Sequence, residues 1–182
     1  MTDRGLLELD MCSYYFIWYQ FLQDGTPVMH PTRPGPPLMV QQAHNKRHTE
    51  IKYKNPYTPH TMLGHQKAPG GANVSQKNSL HKKSERYAIE ALTSALSHHE
   101  AKMYYNSCYI KSVGYVLGQC FFTQAELEEI ESDAIRVFTS RMGYNKNMAK
   151  VIRDGPESIA GVSITRLIDV QGSEQVKTFF DT

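Results

Sequence analysis

The pattern of apolar and polar positions changes near residue 74. Before it, apolar runs are short and are separated by segments rich in proline and glycine, such as HPTRPGPP at 30–37 and APGGAN at 68–73. After it, apolar residues recur at three- and four-residue steps, as on one face of an α-helix. The pattern predicts an α+β protein with two parts: a β-rich segment at 1–73, made of a β-hairpin and short strands, and a small helical bundle at 74–182.

The N-terminal part carries one strong strand signal. Cys12–Leu22, CSYYFIWYQFL, is rich in β-forming aromatic residues, and Asp24-Gly25 is a turn signal ahead of a partner strand beginning at Pro27. A strand with aromatic residues on both faces is usually buried on both faces, so we expect core packing. The alternative is that these rings stack on nucleic-acid bases. Weaker strand candidates are Leu38–Gln42, Thr49–Lys54 and Thr61–Gln66.

Three longer helices are predicted at 77–96, 98–116 and 124–142, with a last amphipathic piece at 175–180. The second and third begin with capping boxes, Ser97 with Glu100 and Thr123 with Glu126, and Gly143 ends the third. On the second helix the predicted inner side is Ala101, Tyr104, Tyr105, Cys108, Ser112 and Tyr115. The three helices are expected to pack together and bury Leu92, Tyr105, Ile130 and Phe138.

Charge reverses along the third helix. Residues 113–135 hold five acidic residues and no basic one, whereas 136–153 hold five basic residues and no acidic one. If Asn145 begins a further helix, Lys146, Lys150 and Arg153 share one face, close to Arg141, and that face could follow a phosphate backbone. The alternative is an ordinary solvated helix surface, because basic runs are a frequent false signal of nucleic-acid binding.

Composition points to a protein of a reducing compartment with a basic middle. The net charge is only +2, but residues 33–112 hold twelve Lys and Arg against four Asp and Glu, which suits a polyanionic partner. Three widely spaced cysteines without zinc-ligand spacing favour an intracellular location, in the cytoplasm or nucleus. The aromatic run is too short to span a membrane, and no signal peptide precedes it, so no membrane partner is expected.

The sequence lacks the residue patterns of the commoner enzymes. Eight histidines are scattered, and His44 and His48, although four apart, lie in a stretch without helical pattern, so no metal site is expected. Two-metal polymerases need carboxylates close together, but the chain has no Asp-Asp or Asp-x-Asp. Glu128 and Glu129 are adjacent on a helix and therefore point in different directions. We expect this chain alone to have no polymerase activity.

Several segments together resemble the region that follows the catalytic palm in reverse transcriptases of LINE-like, non-long-terminal-repeat retrotransposons. The most specific are Gly143-Tyr144-Asn145-Lys146-Asn147-Met148, similar to a G-[FY]-N-R-N-[MF] motif, and 155–164, similar to G-P-x-E-L-G-G-L-G-L. Further similarity lies at 9–21, at the turn 24–27, at 61–73 and at 100–117. The chain departs from the family at Met11, where the family has lysine, and at Ala160 and Ser163, where it has glycine. The motif residues carried over are Gly143, Tyr144, Asn145, Asn147, Gly155 and Pro156.

The resemblance implies a fragment of an RNA-directed DNA polymerase: the hairpin that trails the palm, followed by a thumb-like helical domain. Such a fragment would bind the primer–template RNA or DNA backbone, weakly and without sequence preference, through Arg141, Lys146, Lys150 and Arg153. The palm domain would be a second partner, and magnesium would belong to the full enzyme, with no cofactor in this chain. The alternative is a free-standing helical protein-interaction module with no nucleic-acid role.

Overall fold

A computed structural model describes residues 13–29, 37–41, 48–62 and 65–180. The chain divides between Ala72 and Asn73 into two compact units. Short strands form small sheets in the first unit, and helices make up the second. The architecture is therefore α+β, with N-terminal strands followed by helices, as the sequence predicts.

The N-terminal unit contains three small sheets. The three-stranded sheet has the order β1-β5-β4, in which β1 runs parallel and β4 antiparallel to β5. The other two sheets are the antiparallel pairs β2–β3 and β6–β7. The strands are β1 Ser13–Tyr14, β2 Tyr19–Phe21, β3 Pro27–Met29, β4 Leu38–Gln41, β5 His48–Tyr53, β6 His60–Met62 and β7 His65–Lys67.

The β2–β3 pair is the hairpin that the Asp24-Gly25 signal predicts. Gly25 adopts a φ of 81°, a left-handed conformation that favours glycine. The Leu22 amide donates to the Thr26 carbonyl at 3.0 Å, and the Thr26 amide donates to the Asp24 carboxylate at 2.9 Å. The turn is thus closed by its own local groups.

The aromatic run is not the buried strand that we predicted. Of Cys12–Leu22, only β1 and β2 are strands, and Cys12 lies outside the described residues. Trp18 is 62% exposed and Phe21 is 68% exposed. The described part of residues 13–72 contains no helix that could cover these rings, and a two-stranded hairpin cannot bury its own faces.

The second unit holds six helices in its described residues. Both predicted capping boxes are present: the Ser97 and Thr123 hydroxyls each accept from the backbone of the glutamate three residues on, and that glutamate accepts in return. Gly143, at φ 86°, follows α4 as predicted. The helices are α1 Val74–Thr93, α2 His98–Tyr104, α3 Ile110–Gly114, α4 Gln124–Arg141, α5 Lys150–Asp154 and α6 Leu167–Phe180. None of the described helices is long and apolar enough to cross a membrane.

A π-helical turn at Tyr105–Tyr109 joins α2 to α3 and corrects the predicted inner face. A π-turn adds a residue to one helical turn, so it rotates every later side chain around the axis. Tyr109 at the end of the turn and Val113 after it are buried, whereas Tyr115 is exposed, opposite to the prediction from a regular period. Cys108 and Ser112 are only half-buried for the same reason.

The core lies where α1, the α2–α3 segment and α4 meet. The rings of Tyr105, Tyr109 and Phe138 pack with their centroids 5.1–5.8 Å apart. Tyr105, Phe138 and Ile130 are buried as expected, and so is Tyr109, which was not predicted, but Leu92 is 57% exposed. The buried side of α1 runs through Leu80, Ser84, Ala88 and Ala91, and the next residue, Leu92, is turned away from it by the 100° helical step.

Helix α6 begins at Leu167, eight residues before the predicted piece at 175–180. Its Gln171 side chain accepts from the Phe122 amide and donates to the Phe122 carbonyl, both at 3.0 Å. The Gln175 side-chain amide donates to the Cys120 carbonyl at 3.2 Å. These bonds fix α6 to the segment that leads into α4.

Candidate nucleic-acid interface

The chain between α4 and α5 is a turn and not the start of a helix. The Asn145 side chain accepts from the Asn147 amide at 2.9 Å, and the Asn145 carbonyl accepts from the Met148 amide at 2.9 Å. This Asx turn satisfies the local backbone and delays the next helix to Lys150. The predicted helix from Asn145, and with it the i, i+4, i+7 argument for a shared face, is therefore wrong.

The fold still brings the three predicted residues together. Lys146, Lys150 and Arg153 line one shallow cavity of about 240 Å³ against α4. The other lining residues are Glu128, Glu131, Ser132, Ile135, Arg136 and Arg166. A turn followed by a short helix thus brings these three side chains to one place, as the continuous helix was expected to do.

Lys146 and Lys150 are exposed, whereas Arg153 is not. The Lys150 ammonium lies 3.5 Å from both oxygens of Glu128, a distance typical of a weak surface ion pair. Arg153 donates to the neighbouring Asp154 at 2.7 Å, and only 13% of its side chain is exposed. Its charge is therefore largely balanced within the protein.

A largely buried ion-pair cluster contributes Glu131, Arg153 and Arg166 to the lining of the cavity. The Arg166 guanidinium binds both Glu131 and Asp154, the latter at 2.9 Å. The Leu167 amide also donates to Glu131 at 2.8 Å, at the start of α6. This cluster ties α4, α5 and α6 together.

The cluster also fixes the charge states around it. Burial raises the pKa of Glu131, and the Leu167 amide and the Arg166 guanidinium work against that rise. Burial likewise opposes charge on Asp154, but hydrogen bonds from Arg153 and Arg166 outweigh it and lower its pKa. The pKa of Arg166 is raised, because Glu131 and Asp154 outweigh the effect of burial, so Arg166 stays charged.

Arg141, the fourth predicted backbone ligand, has a structural position. It donates to the carbonyl oxygens of Ala91 at 2.7 Å and Leu92 at 2.8 Å, and also to that of Ser94. These carbonyls belong to the C-terminal end of α1, where acceptors lack partners within the helix. Arg141 is not among the residues that line the cavity.

The motif glycines leave little room for a side chain. A Cβ on Gly143 would come within 2.8 Å of the His98 ring, and one on Gly161 would overlap the Gly155 carbonyl oxygen. The loop at 155–164 folds back on α5: the Val162 amide donates to the Ile152 carbonyl at 2.9 Å, and the Ile164 amide to the Arg153 carbonyl at 3.1 Å. Pro156 opens a 3-10 turn at Glu157–Ile159, while Tyr144 and Asn147 are exposed beside Lys146.

Two non-glycine residues of this loop are left-handed. Ala160 has a φ of 62° and Ser163 a φ of 58°, and within the described residues no other non-glycine residue has a positive φ. Side chains with a Cβ rarely adopt this conformation. These are the two positions at which the resemblance places glycine.

The acidic and basic partners of the cavity could not be found from local sequence. Glu131 and Arg166 are 35 residues apart, and Glu128 and Lys150 are 22 apart. The only signal was the density of acids in the first half of α4, which helix-dipole effects already explain. For metals, the described residues contain no cluster of three or more ligand side chains; His48 lies in β5, and His44 lies outside them.

Comparison of the chain with family models, with curated proteins and with solved structures gives no match.

Proposed function

We propose that the chain is a fragment of a retrotransposon reverse transcriptase, from the region after the catalytic palm, and that its helical unit binds the backbone of a primer–template. The observation that carries the binding role is the convergence of Lys146, Lys150 and Arg153 on one cavity. The left-handed Ala160 and Ser163 support the family assignment, because the backbone at both positions favours the glycine that the family motif has there. In this proposal the protein acts inside the cell, and magnesium belongs to the palm, which supplies the carboxylates that this chain lacks.

The binding should be weak and insensitive to sequence. Phosphate contacts carry no base information, and each releases condensed counterions. Of the four predicted residues, Arg141 is engaged by three carbonyls and Arg153 by Asp154, which leaves Lys146 and Lys150 as the exposed cations. Two contacts give a log–log salt slope of about −2 on duplex, compared with about −3 if three residues took part.

The test is a salt titration of binding to duplex oligonucleotides of unrelated sequences. Lys150→Ala should weaken all sequences alike and reduce the slope by about one. Lys82→Ala is the matched control, because Lys82 is an exposed lysine on α1 that does not line the cavity. It removes the same charge and should leave the slope unchanged.

The second candidate is a protein-interaction module without a nucleic-acid role. Exposed apolar side chains of this region favour it: Val151, next to Lys150, is 81% exposed, and Ile159 is 72% exposed. Such side chains are typical of surfaces that a protein partner covers. If the wild-type chain shows no salt-dependent binding to duplex at low ionic strength, this candidate replaces the first.

A further inference from the structure

Two adjacent glutamates of α4 hold different lysines. Glu128 faces Lys150 at 3.5 Å, whereas Glu129 pairs with Lys77 of α1 at 2.7 Å. Glu128 also accepts from the Gln124 side chain at 3.1 Å and lies 3.8 Å from Arg166. The hydrogen bond from Gln124 and the charge of Lys150 lower the pKa of Glu128, so this carboxylate is ionised at neutral pH.

Of the acids that line the cavity, one controls whether an anion can reach the exposed lysines. Glu131 and Asp154 balance Arg166 and Arg153 within the buried cluster. Arg136 also lines the cavity but pairs with Asp133 at 3.1 Å, so the exposed Lys146 and Lys150 face a single remaining acid of the cavity, Glu128. With Glu128 moved aside, both lysines would be available to one anion.

The space suits a small anion with several acceptor oxygens. The cavity measures about 240 Å³, far more than the roughly 30 Å³ that one water molecule occupies in the liquid. A phosphate group can accept from two ammonium groups at once, which the carboxylate of Glu128 does not do here. Because Glu128 is itself partly exposed and its ion pair with Lys150 is weak, separating the two costs little free energy.

We propose that this cavity binds one phosphate group of a nucleic-acid strand, and that Glu128 is an internal competitor that the phosphate displaces from Lys150. The proposal rests on the proposed function for the source of the phosphate. It goes beyond that function in assigning the site of contact and the acidic residue that limits its affinity.

The experiment compares Glu128→Gln with Glu129→Gln. The two changes add the same charge on neighbouring residues of one helix, and glutamine at 128 can still accept from Gln124. Glu128→Gln should bind duplex about two- to fivefold more tightly, the gain expected when one exposed lysine is released from its ion pair. Its salt slope should also steepen by up to about one, because Lys150 is then free to make a full phosphate contact that releases counterions. Glu129→Gln should leave the slope unchanged.

A double variant shows whether the gain passes through Lys150. Glu128→Gln combined with Lys150→Ala should bind no more tightly than Lys150→Ala alone. If wild type binds duplex and Glu128→Gln and Glu129→Gln change the binding equally, Glu128 is not an internal competitor, but the proposed function still stands. A gain that survives the loss of Lys150 would overturn the internal competitor as well.

A titration with inorganic phosphate tests whether the cavity binds phosphate at all, independently of nucleic acid. Phosphate is added at constant ionic strength, and the NMR signals of the backbone amides at 144–154 are followed. Their chemical shifts should change more in Glu128→Gln than in Glu129→Gln. This arm also applies if wild type fails to bind duplex: equal or absent shifts in the two variants then overturn the phosphate site too. Displacement of a bound oligonucleotide by inorganic phosphate at equal concentration would show that the site takes free phosphate in preference to a strand.

Discussion

Glycine at position 160 or 163 should stabilise the helical unit. Ala160 and Ser163 are exposed and left-handed, with φ of 62° and 58°. The Ala160 amide donates to the Glu157 carbonyl at 3.0 Å and the Ser163 amide to the Gly155 carbonyl at 2.9 Å, and glycine would keep both bonds. A left-handed conformation costs a residue with a Cβ roughly 1–2 kcal/mol. Glycine removes this cost but adds about 0.4–1 kcal/mol of unfolded-chain entropy, so each change should gain about 0.5–1 kcal/mol.

The assay is urea unfolding of the full chain followed by circular dichroism at 222 nm. Each glycine should raise the midpoint without changing the slope with denaturant, and the double variant should gain about 1–2 kcal/mol in the free energy of unfolding. Ser158→Gly is the matched control, because Ser158 lies in the 3-10 turn and has a negative φ. It should lose about 0.5 kcal/mol. If Ala160→Gly destabilises the chain as much as the control does, the backbone at 160 is not under the strain we assign to it.

Two further predictions concern the packing of α4. Ile130→Ala should cost about 2–5 kcal/mol of stability, because Ile130 is 2% exposed in the core. The control Ile89→Ala, at an exposed position on α1, should change stability by no more than about 0.5 kcal/mol. Similar losses for the two variants in denaturant unfolding would place residue 130 at the surface. Arg141→Ala should cost about 1.5–3 kcal/mol through its carbonyl bonds and leave the salt slope of duplex binding at the wild-type value; a slope reduced by one would return Arg141 to the interface.

The features that sequence predicts well are closed by their own neighbours. Each capping box joins residues three apart, and the Asp24-Gly25 turn closes between Leu22 and Thr26. All the atoms that decide these structures lie within one turn of chain. The same holds for Gly143, whose left-handed φ follows from the end of α4.

The features that sequence misplaced depend on distant partners or on one inserted residue. The π-turn at Tyr105–Tyr109 moves the inner face of the α2–α3 segment, and a regular 3.6-residue period cannot anticipate it. The exposed aromatic run shows the converse case. Its β-forming composition is genuine, but whether such rings are buried depends on what covers them, and composition carries no information about that.

The candidate site combines both situations. Composition found the basic residues, and the fold did bring Lys146, Lys150 and Arg153 to one cavity, although by a turn and not by the predicted helix. The acid that opposes Lys150 is Glu128 in the acidic first half of α4, where negative charge also suits the helix dipole, and the acid that opposes Arg153 is its neighbour Asp154. The charge that a basic segment offers to a partner is therefore a property of the folded surface. Here Arg136 is paired with Asp133, which leaves two lysines and one glutamate at the cavity, and the affinity for nucleic acid should depend on which anion Lys150 holds.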